Sequence, residues 1–184
     1  MADSTIRNVP LWQLKENLDS DEEDVIIRRH PGATADEMTH FMKDSLQRFR
    51  PNNLIIFGGC NDISRAFKDK DINEWKIAEY ILQMAQNGKQ MGCQKIFISS
   101  VLVRWGKQYD NVIIRVNEIL RRVCGEEGFF YLDHSDVTTA HLCGDGLHPN
   151  SYGTVILKMN ILSCFNSFNP YLSSFYDFYE ESVL

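Results

Sequence analysis

The feature that most restricts the fold of this chain is Leu54-Ile-Ile-Phe57, four consecutive apolar residues closed by Gly58-Gly59 and followed by Asn61-Asp62. A run this short with no polar face reads as a strand covered on both sides, as inside a parallel sheet. Parallel strands need crossover connections, usually helices. In open sheets of that kind ligands sit beyond the carboxyl ends of the strands. Asn61 and Asp62 stand there. The Asn61 amide can donate to a developing oxyanion, or it can be an ordinary turn residue after two glycines.

The rest of the chain supplies the crossovers. Leu11, Leu14 and Leu18 keep helical spacing after Pro10. Val25-Ile-Ile27 reads as a short strand ended by Arg28-Arg-His-Pro-Gly32. Thr34 and Glu37 form a capping-box pair ahead of Met38, Phe41, Met42, Leu46 and Phe49 on one helical face. A helix is predicted from Ile72 to Met91, capped by Asp71 and weakened at Asn87-Gly88, and a strand from Lys95 to Val101. Val112, Val116, Ile119, Leu120 and Val123 stripe another helix, closed by Gly125 and Gly128. Phe129 to Leu132 is a strand, Asp133 to Asn150 a loop, and Ser151 a cap for a last helix running to about Phe165. Alternating helices and strands predict a three-layer α/β fold, a parallel sheet with helices on both faces. Residues 1–165 read as one domain and residues 166–184 as an aromatic-rich C-terminal tail.

Composition narrows the function. A formal net charge of −6 over 184 residues argues against a nucleic-acid or anionic-membrane surface. The acidic excess is partly local, in Asp19-Ser-Asp-Glu-Glu-Asp24, which reads as a solvated loop. No apolar run approaches the roughly 20 residues that span a bilayer, and the first residues lack the basic start and apolar core of a signal peptide. Cys60, Cys93, Cys124, Cys143 and Cys164 are widely spaced, with no metal or disulfide framework. They read mostly as small buried hydrophobes in a reducing, cytoplasmic setting.

The strongest chemical signal is Asp145-Gly-Leu-His148-Pro149. An Asp three residues before a His, on a loop entering a helix, can accept the imidazole Nδ1–H and so make Nε2 the basic nitrogen. His134, His141, His30 and His40 have no comparable setting and read as surface or loop residues. Gly32 follows a strand and precedes a capped helix, where backbone N–H groups point at anything bound. Ser4 lies between the chain start and the first helix, where the first βα turn of such a fold would be. The loops Ser64 to Asp71, Val103 to Tyr109 and Ser135 to Gly144 are expected to shape a substrate pocket. They mix Arg65, Phe67, Arg104, Trp105 and Tyr109 without a clear preference.

Taken in order, four pieces resemble the four sequence blocks of the SGNH (GDSL-type) hydrolases. Ala2-Asp3-Ser4 is similar to the Gly-Asp-Ser block, with Ala in place of Gly. Pro31-Gly32-Ala33-Thr34 is similar to the glycine block, Gly59-Cys60-Asn61-Asp62 to the Gly-x-Asn-Asp block, and Asp145-Gly-Leu-His148 to the Asp-x-x-His block. The resemblance spans about Ala2 to Phe165 and includes Arg104 and Asn117. It implies a flavodoxin-like sheet and a Ser-His-Asp serine hydrolase that cleaves an ester or O-acetyl bond. Ser4 would be the nucleophile, His148 the general base and then acid, and Asp145 the residue that orients His148. The oxyanion hole would be the N–H groups of Ser4 and Gly32 with the Asn61 side chain, and Asp3 and Asp62 would brace loops. No metal or organic cofactor is implied. The substrate would be a small-molecule, acylated carbohydrate or lipid ester.

Members of that family have a strand running into the nucleophile, and here Met1 stands three residues before Ser4. The first strand is therefore expected to be missing, leaving a gap between the Val25 and Leu54 strands. The chain is then expected to be the truncated start of a longer protein, with a possible further domain upstream. The alternative to an active esterase is a non-catalytic SGNH-fold binding or interaction domain. A flavodoxin-like nucleotide or flavin module ranks last, since Asp3-Ser-Thr-Ile-Arg7 makes a poor phosphate loop.

Overall fold

The computed structural model describes Met1, Ala2, Ile6 and residues 26–166. Three parallel strands form the sheet: β1 (Asn53–Ile56), β2 (Lys95–Ser99) and β3 (Phe130–Leu132), in that spatial order. Leu54 pairs with Ile96 and Ile98 with Tyr131. Among the described residues five α-helices accompany them: α1 (Ala35–Phe49), α2 (Cys60–Asp69), α3 (Glu74–Gln90), α4 (Asp110–Glu127) and α5 (Ser151–Asn166).

The two faces of β1 explain its unbroken apolar sequence. Successive side chains of a strand point to opposite faces. Leu54 and Ile56 pack with Ile96 and Ile98 against Met38 and Met42 of α1, Ile63 of α2, Ile81 of α3 and Val116 of α4. Ile55 and the following Phe57 face the other way, toward Leu157, Ile161 and Leu162 of α5. That makes three layers, with α5 alone among these helices on its side. Each fully buried Ile or Leu contributes about 1.5–3 kcal/mol of transfer free energy, so both layers are needed to hold the short strands.

The gap expected beside β1 is occupied by two residues. Ala2 forms parallel bridges with Arg29 on one side and Phe57 on the other. Its N–H donates to Arg28 O at 2.9 Å, and its carbonyl accepts from His30 N at 2.9 Å. On the opposite side Phe57 N donates to Met1 O at 2.9 Å and Met1 N donates to Ile55 O at 2.8 Å. These bonds satisfy backbone groups on both flanks that a gap would leave unpaired.

Other boundaries also differ from the sequence expectation. Ile26 and Ile27 form no regular strand, and the pairing falls on the polar residues 28–30 beside Ala2; Val25 lies outside the described residues, as do residues 10–18 and the acidic run. Ser64 to Asp69 is not loop but most of α2. α3 is capped by Asn73, whose side chain accepts from Lys76 N at 3.0 Å, rather than by Asp71. α5 is capped by Asn150, which accepts from Gly153 N at 3.0 Å, rather than by Ser151. Phe41 lies off the buried stripe of α1, half-exposed and stacked on the His30 ring with centroids 4.7 Å apart. The Thr34–Glu37 capping box is present as expected. Cys60, Cys93 and Cys124 are buried thiols, and none of the five cysteines is in a disulfide. No helix among the described residues is long and apolar enough to cross a membrane.

Candidate active site

Gly32, Asn61 and Asp62 lie just past the carboxyl ends of paired segments, and Asp145 and His148 lie in the turn before α5. β1 ends at Ile56, and the chain passes through Phe57 and Gly58 to Gly59, which caps α2 with φ +104°. A Cβ on Gly59 would stand 2.7 Å from Val101 Cγ2 and 3.1 Å from Ile81 Cδ1. Only glycine combines that backbone angle with that closeness. The turn throws Asn61 and Asp62 into the first turn of α2, facing the segment that holds Gly32. Asn61 Nδ2 donates to Ala33 O at 2.9 Å. Asp62 is buried and accepts from Ala35 N with both oxygens, at 3.1 and 3.0 Å. The carboxylate thus sits at the N-terminus of α1, where the unpaired N–H groups and the helix dipole favour a negative charge. Together the two side chains tie the loop of Gly32 to the start of α2. Gly32 itself is exposed.

The second group is the turn before α5. His148 Nδ1 and Asp145 Oδ2 are 2.7 Å apart, while Asp145 Oδ1 accepts the N–H groups of Leu147 and His148 at 3.0 Å each. Those donors, the His148 backbone N–H foremost and then its ring and the Leu147 N–H, hold the Asp145 carboxyl well below the usual carboxylate range. A carboxylate in this state accepts Nδ1–H and fixes the imidazole in the tautomer whose other nitrogen is basic. The His148 side chain is 12% exposed and that of Asp145 43%. The turn is closed by Cys143 N donating to His148 O at 2.7 Å and by an antiparallel bridge between Leu142 and Pro149. Asn150 adds bonds to Ala140 O and Leu142 O.

Between the two groups runs the segment after β2. Asn117 of α4 receives Val101 N at 2.8 Å and donates to Val101 O at 3.0 Å, pairing like a strand neighbour at the point where β2 has ended. Arg104 Nη1 donates to Ser64 Oγ at 2.6 Å and Cys60 O at 3.3 Å, with its guanidinium 4.1 Å over the Tyr109 ring.

Ser4 and Asp3 lie outside the described residues. Of the other histidines, His134 departs from the reading as a surface or loop residue. It is 3% exposed, stacks on Phe57 at 5.6 Å between centroids, and faces Asn160 Nδ2 at 3.1 Å through Nδ1. Burial pulls its pKa down to about 4, against the opposing charges of Asp136 and Asp133. His30 is likewise half-buried against Phe41, not a surface residue. His141 receives Thr138 N at 3.1 Å and closes a short 3-10 turn, and His40 is exposed. Among the described residues no group of three or more His, Cys, Asp or Glu is placed to hold a metal ion.

The bond from Asp62 to Ala35 is a brace of the kind expected of Asp62, whereas the roles of Asn117 and Trp105 go beyond the sequence expectation. For Asn117 a signal existed, an amide within the apolar stripe of Val116, Ile119 and Leu120. The contacts of Trp105 join distant segments and leave no local pattern.

A model of the GDSL-like Lipase/Acylhydrolase family matches residues 6–155. Among solved structures the fold is similar to an acetyl xylan esterase, AlAXEase, with a TM-score of 0.75 at 16% identity, over 89% of this chain and 96% of that one. It is also similar to a GDSL-like lipase from Bacteroides thetaiotaomicron VPI-5482, with a TM-score of 0.70 at 16% identity over 91% and 86% of the two chains. A catalytic mutant of an acetylxylan esterase from Geobacillus stearothermophilus gives 0.71 at 14% identity over 88% and 90%. No curated protein sequence matches the chain.

Proposed function

Since the chain belongs to the GDSL-like lipase and acylhydrolase family and is a hydrolase acting on ester bonds, we propose that Ser4, His148 and Asp145 form its catalytic triad, with the Ser4 and Gly32 N–H groups and the Asn61 amide as the oxyanion hole. The observation that carries this reading is the 2.7 Å bond between His148 Nδ1 and an ionised Asp145. Two further features support it. Ala2, two residues before Ser4, is paired beside Phe57 at the same sheet end as Asn61, and Asn61 is bonded to the Gly32 loop through Ala33.

In this mechanism Ser4 Oγ attacks the ester carbonyl carbon while His148 Nε2 takes its proton. Asp145 stabilises the imidazolium that forms. The carbonyl oxygen becomes an oxyanion held by the three donors. Collapse expels the alcohol, which receives the proton from His148 and leaves an acyl-serine. Water then attacks the acyl carbon while His148 takes its proton, and His148 returns that proton to Ser4 Oγ as the acyl–oxygen bond breaks and the acid is released. No step calls on a metal or organic cofactor. The substrate is read as a small ester, and the acetylxylan esterases among the similar folds make acetyl groups the first choice.

Hydrolysis of p-nitrophenyl acetate by the chain, Ser4→Ala and His148→Ala tests the assignment. The unsubstituted protein turns over and both variants fall to background. Equal rates in all three overturn it.

A further inference from the structure

Trp105 is half-exposed, yet it is the residue against which the Asp145–His148 turn is built. Its backbone N–H donates to Gly146 O at 2.8 Å. Its Nε1–H donates to Thr139 O at 3.2 Å, in the 3-10 turn that precedes the same loop. Gly146 adopts φ +66°, and a Cβ there would stand 2.6 Å from Trp105 Cβ and Cγ. The glycine between Asp145 and His148 is therefore in close contact with the tryptophan side chain, with no room for a larger residue. The neighbouring residue reaches the opposite way. Arg104 grips Cys60 O and Ser64 Oγ in α2, where Cys60 immediately precedes Asn61. Asn117 fixes the root of this segment at Val101.

We propose that Trp105 is a positioning residue that holds the Asp145–His148 pair in register with Asn61, acting through Gly146 and Thr139 on one side and through the Arg104 anchor on the other. The inference rests on the hydrolase reading above. Trp105 touches the turn rather than the reacting atoms, so its removal loosens the base without abolishing it. Displacement of a catalytic group by about 1 Å costs on the order of 100-fold in rate.

The experiment compares the unsubstituted protein with Trp105→Ala and Trp105→Phe, each also in an Asp145→Asn background, using p-nitrophenyl acetate. Trp105→Ala is expected to lower kcat about 10- to 100-fold with KM within about threefold. Trp105→Phe, which keeps a ring over Gly146 and loses only the indole donor, restores kcat to within about threefold. In the Asp145→Asn background Trp105→Ala costs nothing more, because the bond it protects is already gone. A second readout needs no turnover. The downfield NMR signal of the His148 Nδ1–H, which reports the bond to Asp145, weakens or moves in Trp105→Ala and returns in Trp105→Phe. If Trp105→Ala does not fold, Trp105→Leu takes its place in every comparison.

An unchanged Nδ1–H signal overturns the proposal, as does kcat within twofold of the unsubstituted protein or an equal loss with and without Asp145. Equal damage in Trp105→Ala and Trp105→Phe accompanied by a lower Tm also overturns it, leaving a structural role alone. Should the unsubstituted protein hydrolyse no ester, the functional reading fails, and the NMR comparison still decides whether Trp105 holds the pair.

Discussion

Asp62 and Ala35 are 27 residues apart in the chain, yet the Asp62 carboxylate receives the Ala35 backbone N–H on both oxygens, at 3.1 and 3.0 Å. The bond joins the first turn of α2 to the first residue of α1, and it is buried. Thr34 already caps α1 through Glu37 N, so Asp62 satisfies a different donor of the same helix end. Its effect on the site is indirect. By holding Ala35 it holds the loop of Gly32 against Asn61.

Removal of that carboxylate is expected to lower both stability and rate. Asp62→Ala leaves a buried N–H without its charged acceptor, a loss of about 1.5–3 kcal/mol. For a chain of this length that lowers Tm by several degrees. Asp62→Asn keeps one acceptor and falls between the two. Differential scanning calorimetry of the three proteins gives the order, and a Tm for Asp62→Ala equal to the unsubstituted value contradicts the bracing role.

Asn61 gives the opposite signature. It is only half-buried, and its visible bond is to the Ala33 carbonyl. Asn61→Ala should lower kcat about 10²- to 10³-fold, the usual effect of deleting one oxyanion donor. KM should move little, and Tm should fall less than in Asp62→Ala because only one neutral hydrogen bond is lost. Steady-state kinetics on p-nitrophenyl acetate check it, and a loss carried by KM alone assigns Asn61 to substrate binding instead.

Gly59 is expected to tolerate no side chain. Its φ of +104° disfavours any L-residue, and the added Cβ would meet Val101 Cγ2 at 2.7 Å. Gly59→Ala should cost about 2–4 kcal/mol in urea unfolding, the sum of backbone strain and overpacking. Val101→Ala introduced alongside removes the closest clash and leaves the strain and the 3.1 Å approach to Ile81 Cδ1, so the double variant should lose less than the two single losses added together. Strict additivity would show that the contact does not matter.

How much of this was legible in the sequence follows the range of the interactions. The β1 run was readable because full burial demands apolar residues on both faces, and Leu54, Ile56 and then Ile55, Phe57 do face opposite layers. The α1 cap and the Asp145–His148 pair were readable because each spans three residues. α2 reads from the sequence as a turn and loop. Its start, Gly-Gly-Cys-Asn-Asp, carries turn residues, and only Cys60, Asp62 and Ile63 are buried. The edge beside Ala2 falls on residues 28–30 rather than on the apolar Val25-Ile-Ile27 because it is held by backbone bonds of Arg28 and His30, which their polar side chains do not advertise. The contacts of Trp105 with Gly146, of Asn117 with Val101 and of Asp62 with Ala35 exist only after folding brings the segments together.

His134 should make the protein acid-sensitive. It is buried at the carboxyl end of β3 with Asn160 at Nδ1, and burial lowers its pKa from the ordinary histidine value to about 4. Above about pH 6.5 the ring is neutral in both folded and unfolded chains, and it adds no pH dependence. As pH falls below that value the unfolded chain binds a proton that the folded chain refuses. Stability therefore declines between about pH 6.5 and pH 4, by up to about 3 kcal/mol from this one group. His134→Gln cannot titrate, so this part of the slope should vanish even if the variant is less stable at pH 7. Urea unfolding of both proteins at pH 7, 5.5 and 4.5 measures the difference. Parallel losses across that range would mean that the buried imidazole is not the group that senses acid, and that other titrating groups carry the effect.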